Sequence, residues 1–262
     1  MSRIISVANQ KGGVGKTTTA VNLSAGIADA GYKVLVVDMD PQGNATSGLG
    51  IDKNEIDYSI YDLLTGECTF NQVKLETGIE NLSVIPADED LAAAEMDLLK
   101  LDNREYILKK CLVSYSDAYD YIIIDCPPSL SILTLNALSC SDAVIVPIQC
   151  EYYALEGLTQ LMYTIELVRK RLNPKIKIDG VVFTMYDGRT NLSVQIVQTV
   201  KQNLKQHIYQ SLIPRNVRLA EAPSFGLPIN RYDKRSIGAQ AYRNLTIEVL
   251  KADGKSIDEA KQ

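Results

Sequence analysis

Residues 11–18, Lys11-Gly12-Gly13-Val14-Gly15-Lys16-Thr17-Thr18, put two lysines, three glycines and two hydroxyls into eight positions. They follow the apolar run Ile4-Ile5-Ser6-Val7-Ala8 and open a helical pattern. Glycines let a backbone close around phosphate oxygens so that several N–H groups point inward, and a following helix adds the positive end of its dipole. Lys16 is placed to reach the β- and γ-phosphates, and the Thr17 hydroxyl to reach Mg²⁺. The stretch departs from the ordinary phosphate loop at Gln10, where a small residue is usual, and in carrying a second lysine, Lys11. A glycine-rich turn with two solvated lysines is the bland alternative, and the strand, loop and helix order weighs against it.

Two further turns supply carboxylates. Asp38-Met39-Asp40-Pro41-Gln42-Gly43-Asn44 closes one apolar run in a turn able to face a γ-phosphate. Ile122-Ile123-Ile124-Asp125-Cys126-Pro127-Pro128 delivers one carboxylate at the end of another. An acid closing a strand is usually a solvated turn. Downstream of a phosphate loop it can instead hold Mg²⁺, through a water, because the metal needs oxygen ligands from outside the loop.

The elements that must position these residues read as an α/β fold. β-branched runs at 4–8, 34–38, 82–86, 121–125, 143–148, 178–185 and 208–213 alternate with helical patterns at 16–30, 59–64, 91–112, 131–138, 155–172, 192–204, 217–222 and 237–250. That alternation predicts one P-loop domain: a mostly parallel twisted sheet of seven to eight strands with helices on both faces. Its core spans about residues 3–251, with a short tail at 252–262. Ligands of such sheets sit beyond the carboxyl ends of the strands. Gly31 is the expected stop of the first helix.

The chain has 262 residues, 46% of them hydrophobic, enough for a full core. No run is long enough to span a bilayer, and no signal-peptide pattern opens the sequence, so a soluble, cytoplasmic protein is expected. Five cysteines form no C-x-x-C pair and read as reduced, mostly buried thiols. His207, the single histidine, reads as a surface residue, and Tyr152, Tyr153 and Tyr163 as helix-packing residues. The net charge of −5 is uneven: Arg189 to Lys251 holds ten Lys or Arg against Glu221, Asp233 and Glu248, a balance of +7 that leaves −12 for the rest. Such asymmetry hints at an anionic partner, although surface lysines and arginines are more often a solvated face.

Together, the loop at 11–17, the turn at 38–44, the strand end at 124–128 and Ile213-Pro214-Arg215-Asn216-Val217-Arg218-Leu219-Ala220-Glu221-Ala222-Pro223-Ser224 resemble the ParA family of deviant Walker A ATPases, of the short Soj-like kind, from Ile4 to about Leu250. The resemblance implies a homodimer sandwiching two ATP molecules, with Lys11 acting in trans on the partner's phosphates. It implies that Gly12, Gly13, Val14, Gly15 and Lys16 cradle ATP, that Thr18 binds the α-phosphate, and that Asp40 orients the attacking water. Thr17, Asp38 and Asp125 would serve Mg²⁺, Pro214 and Asn216 would lie against adenine, and Glu151 would stand near the trans lysine and ribose. It further implies slow ATP hydrolysis stimulated by a ParB-type protein. Non-specific double-stranded DNA would be a partner, giving a nucleoid-associated protein with no membrane contact.

Arg189, Arg218, Lys234, Arg235 and Arg243 are the leading DNA-phosphate candidates, followed by Lys201, Lys205, Arg215 and Arg231. A MinD-like membrane regulator is the alternative, but it needs a basic amphipathic C-terminal helix, and residues 251–262 carry a glycine and balanced charge. A cluster-carrying ATPase built on Cys126 and Cys140 is a third reading.

Overall fold

The computed structural model describes residues 2–151, 154–204 and 206–256, apart from the side chains of 154–156. In chain order the elements are β1 (Arg3–Val7), α1 (Lys16–Asp29), β2 (Val34–Asp38), α2 (Asn44–Gly48), α3 (Ile60–Thr65), α4 (Phe70–Val73), β3 (Leu75–Glu76), β4 (Leu82–Ile85), α5 (Leu91–Asp97) and α6 (Ile107–Val113). The second half runs β5 (Tyr121–Asp125), α7 (Ile132–Cys140), β6 (Ala143–Gln149), α8 (Ala154–Arg171), β7 (Lys177–Tyr186), α9 (Asn191–Asn203), β8 (Ile208–Pro214), α10 (Val217–Glu221), α11 (Ile229–Tyr232) and α12 (Ile237–Ala252). The eight strands form one sheet in the order β3-β4-β2-β5-β1-β6-β7-β8, parallel except for β3.

Strands buried on both faces need apolar residues at every position, and alternate residues then feed opposite cores. In β5, Tyr121 and Ile123 join α1 and α12 on one face, while Ile122 and Ile124 join α7 and α8 on the other. The register sets Asp38 of β2 directly opposite Asp125 of β5 and Val7 of β1 beside it. Three strand ends therefore converge on the loop that β1 feeds into α1.

The edge strand β8 is held by α12: the Glu248 carboxylate accepts the backbone N–H groups of Gln210 (2.7 Å) and Ser211 (2.8 Å). Arg3 pairs with Asp179 and Asp253, while Tyr209 and Tyr121 donate their hydroxyls to the same two carboxylates at 2.6 and 2.7 Å. This network fastens the end of α12 to β1, β5 and β7. Tyr32 donates to the Ser256 carbonyl at 2.8 Å, and the Lys255 ammonium lies 4.1 Å from the Tyr121 ring centre.

The expected long helix over 91–112 is broken. A 3-10 turn at Leu98–Lys100 ends its first part, and Asn103, with φ 54°, turns the chain before α6 begins. Asp102 and Asn103 are turn formers inside an otherwise helical pattern, and the left-handed φ at Asn103 cannot propagate a helix. Tyr163 on α8 is 67% exposed, so it does not pack as expected. Tyr152 and Tyr153 lie outside the described residues. Gly31, at φ +92°, follows the last turn of α1 as a helix stop should. No helix among the described residues is long and apolar enough to cross a membrane.

Candidate nucleotide site

The loop between β1 and α1 is shaped by groups from three strands. Gly13 and Gly15 take left-handed backbone conformations, φ 74° and 85°, which cost a Cβ-bearing residue about 1–2 kcal/mol. Gly15 precedes α1 without a side-chain cap, so the first-turn N–H groups are left for a ligand. Asn9, 5% exposed, donates its amide to the Pro147 carbonyl at 2.7 Å and accepts the Lys11 N–H at 3.0 Å. From β7, the Thr184 hydroxyl donates to the Val14 carbonyl at 2.8 Å.

Lys16 is buried, and its ammonium donates to the Lys11 carbonyl at 3.0 Å. Burial lowers its pKa, with Asp125, Cys126 and Asp40 pulling the other way. Lys11 reaches Glu151 of the same chain at 2.9 Å, and Gln149 donates to the other oxygen of that carboxylate at 2.6 Å. The two lysines of the loop thus have different partners: one folds back on the cradle, the other is held at its rim.

The carboxylates divide in the same way. Asp125 is fully buried, and neither of its oxygens has a hydrogen bond of good geometry among the described residues. Burial pushes its pKa well above the carboxylate range and Asp38 adds to the effect, while the Thr17 hydroxyl and Lys16 offset part of it. Asp38 is also fully buried, and burial raises its pKa to about 6 against the bonds from Thr46 and the Asp40 N–H.

Asp38, expected to support the switch and magnesium region, bonds to the turn through both oxygens. Oδ2 accepts the Thr46 N–H and hydroxyl, each at 2.8 Å, and Oδ1 accepts the Asp40 N–H at 3.2 Å. Thr46 Oγ1 in turn accepts the Ala87 N–H at 2.9 Å, joining the end of β4 to the turn. Asp40 accepts the Gln42 N–H at 3.0 Å through one carboxylate oxygen. Among the described residues no cluster of three or more His, Cys, Asp or Glu side chains forms a metal cage. Magnesium still fits: a buried carboxylate with two unpartnered oxygens beside a threonine hydroxyl is a hard-oxygen donor set that lacks its cation, and Mg²⁺ keeps waters and phosphate ligands for its other positions.

Beyond the loop, Thr17, Thr18, Asn22, Asn44, Leu219 and Pro223 line a cleft of about 400 Å³. It joins the first turn of α1 to the segment after β8. Pro214 ends β8 there, and the Asn216 side chain caps α10 by accepting the Leu219 N–H at 3.3 Å. The expected adenine pair lies at the same carboxyl-terminal end of the sheet as the loop.

The basic candidates do not form a single patch. Arg189, after β7, grips Asp187 through Nε at 2.9 Å and Nη2 at 2.7 Å, pulling that carboxyl down to about 2. Arg218 pairs with Glu221 at 2.9 Å and Asp233 at 3.6 Å. Lys234 and Arg243 instead line a cleft of about 490 Å³ with Arg231 at the far end of α1, while Arg235 is exposed beside them. Arg218 links the two groups, since its partner Asp233 directly precedes Lys234 and Arg235. Lys205 lies outside the described residues.

Cys126 and Cys140 are buried with their thiols pushed up, Cys140 to about 12, by desolvation, and both face backbone carbonyls. His207 is exposed, edge-on to Tyr209 with ring centres 5.1 Å apart. Asn9, Thr46 and Thr184 were not singled out in the sequence. For Asn9 and Thr184 the signal was a polar residue near the end of a buried strand, a position that apolar packing alone does not explain, whereas Thr46 sits inside the short α2 and had no such signal.

A family model described as an AAA domain matches residues 2–178. The chain is 54% identical over 249 residues to the sporulation initiation inhibitor protein Soj of Bacillus subtilis, covering 95% of this chain and 98% of that one. It is 51% identical over 253 residues to the chromosome partitioning protein ParA of Myxococcus xanthus, covering 97% and 89%. Among solved structures, a cobyrinic acid a,c-diamide synthase from Mycobacterium smegmatis with bound ADP and magnesium superposes with a TM-score of 0.85 at 37% identity, over 98% of both chains. With half of its residues shared along nearly its whole length, the chain belongs to the Soj/ParA family of chromosome-partitioning ATPases.

Proposed function

We propose that the protein is an ATP-driven dimerising switch that binds DNA without sequence preference and hydrolyses ATP slowly, to segregate or position chromosomal or plasmid DNA. The observation that carries this reading is the second lysine. Lys11 stands at the rim of the cradle on an exposed ion pair, positioned to leave its own chain, while Lys16 serves the inside.

In this reading Gly12, Gly13, Val14 and Gly15 present backbone N–H groups to the phosphates of ATP, Lys16 exchanges the Lys11 carbonyl for the β- and γ-phosphates, and Thr18 meets the α-phosphate. Thr17 and Asp125 would hold Mg²⁺, which neutralises charge on the phosphates during transfer. Asp40 orients the attacking water, and Asp38, bonded to Thr46 and the Asp40 N–H, fixes the turn from which Asp40 acts. Pro214 and Asn216 lie against adenine. Lys11 leaves Glu151 to touch the phosphates held by the partner, so ATP closes the homodimer and loss of the γ-phosphate weakens it. No arginine of the chain enters the cradle, which suits slow hydrolysis that a ParB-type partner stimulates by supplying a cation.

DNA contacts fall to Arg189, Arg218, Lys234, Arg235 and Arg243, which meet DNA phosphates when the dimer forms. The cytoplasm and the nucleoid are then its place of action. The test is DNA affinity with ATP, ADP and no nucleotide across a salt series. ATP-dependent binding that falls steeply with salt, and weakens in Arg189→Ala and Arg235→Ala, is expected. Full affinity in both variants at low salt sinks the DNA assignment, and ATP-dependent binding to anionic vesicles instead of DNA would favour the MinD-like reading.

A further inference from the structure

We infer that Thr184 is a positioning residue of the phosphate loop, aimed by the left-handed backbone of Met185; this rests on the reading of residues 11–17 as the ATP cradle. Thr184 ends the buried part of β7, 2% exposed, and donates its hydroxyl to the Val14 carbonyl at 2.8 Å. Its methyl group faces the next residue, since a Cβ added at Gly15 would come within 3.5 Å of Thr184 Cγ2.

The consequence follows from the planarity of the peptide. In a trans peptide the carbonyl and the next N–H point in opposite directions. Holding the Val14 carbonyl outward against β7 therefore turns the Gly15 N–H inward, toward the phosphates. The residue that follows this peptide, Gly15, is left-handed at φ 85° and has no Cβ to restrict it, so an outside anchor on the Val14 carbonyl is what fixes the plane. No other hydrogen bond to the Val14 carbonyl is recorded among the described residues.

Met185 explains why the hydroxyl points there. It has φ 50°, one of three non-glycine residues with positive φ among the described residues. Such a backbone persists only where its surroundings enforce it. Here the next residue, Tyr186, accepts the Arg215 N–H at 3.1 Å, which fixes the chain on the far side of the turn. The register between β7 and β8 shifts between Phe183 and Tyr186, so the strand leaves the regular ladder where Thr184 needs to rotate toward the loop.

The test uses the full-length protein and two readouts, the dissociation constant for a non-hydrolysable ATP analogue with Mg²⁺ and turnover at saturating ATP. Thr184→Val keeps the shape and removes the donor, leaving a buried carbonyl unsatisfied, so the dissociation constant should rise about tenfold while turnover stays within about twofold. Thr184→Ser should restore wild-type affinity. Met185→Val, a β-branched residue that resists positive φ, should reproduce the affinity loss without touching the hydroxyl, and Met185→Gly should not. Melting curves without nucleotide separate these effects from misfolding. Wild-type affinity in both Thr184→Val and Met185→Val overturns the inference, as does a Ser variant that behaves like Val. Lys16→Ala is the separate control: if it binds the analogue as the wild type does, the cradle reading itself fails, whatever Thr184 does.

Discussion

Replacing Asp125 by Asn should make the ligand-free protein more stable and the liganded protein less so. Asp125 is fully buried, lies directly opposite Asp38 in the sheet, and among the described residues neither of its oxygens has a hydrogen bond of good geometry. Without a cation the folded chain must carry either an uncompensated charge or a proton there. Asparagine keeps the shape and cannot ionise, so its amide still lacks partners but the extra cost of a buried charge is gone, a gain of about 1–3 kcal/mol. For a chain of this size each kcal/mol moves the melting midpoint by roughly 2–4 °C, so a rise of about 2–12 °C is expected in metal-free buffer at pH 7.5. In the wild type, ATP with Mg²⁺ at a hundredfold excess over its dissociation constant adds about 2.7 kcal/mol. The variant should lose the part of that increment which requires Mg²⁺. Thermal denaturation with and without Mg²⁺, at fixed ATP, reads both effects. A midpoint that falls in metal-free buffer, or an unchanged Mg²⁺ increment, would refute the account of Asp125.

Other expectations follow from the same geometry. Burial raises the Asp38 pKa to about 6, so the folded state holds a proton that the unfolded state has released. This makes the ligand-free protein lose stability as pH rises from about 4 to about 6, by at most about 3 kcal/mol, and urea denaturation across that range should show the loss. Because a bound cation favours ionised Asp38 and Asp125, MgATP binding should release protons. Calorimetry in buffers of different ionisation enthalpy should detect the release, and affinity should weaken as pH falls toward 6. Gly15→Ala forces a side chain onto φ 85° and toward Thr184, and should weaken nucleotide binding by about tenfold while leaving the fold intact by circular dichroism. Arg3→Ala leaves the Asp179 and Asp253 carboxylates without their cation and with only the Tyr209 and Tyr121 hydroxyls, and should cost about 3 kcal/mol by urea denaturation. Its nucleotide affinity should stay at the wild-type level, since Arg3 lies at the opposite end of β1 from the loop.

The parts of the fold that were legible in the sequence are those where one physical demand dominates. Strands buried on both faces must be largely apolar, and β2 and β5 span the apolar runs 34–38 and 121–125, each closed by an aspartate. Short elements under local turn control were not legible. The two-residue β3 and the four-residue α4 and α11 carry too little periodicity to register. Around the site, the cradle was legible because glycine, lysine and threonine there have few other uses at that spacing. Asp38 and Asp40 could not be told apart in sequence, because two carboxylates on one turn look alike. Only the tertiary contact from Thr46 shows which of them is spent on structure. The basic residues after position 189 could be counted but not placed, since charge has no periodicity that reveals which edge of a sheet it reaches.

The claim that joins these observations is that Lys11 serves the other subunit. It is tested by mixing two inactive proteins, Lys11→Ala, which keeps its own Asp40 and cradle, and Asp40→Ala, which keeps its Lys11. In a mixed dimer the cradle of the first receives the lysine of the second, so ATP hydrolysis that neither variant shows alone should appear on mixing in equal amounts. If the mixture stays as inactive as its components, although both bind ATP and sedimentation shows that they associate, Lys11 does not act across the dimer and the account of the switch is wrong.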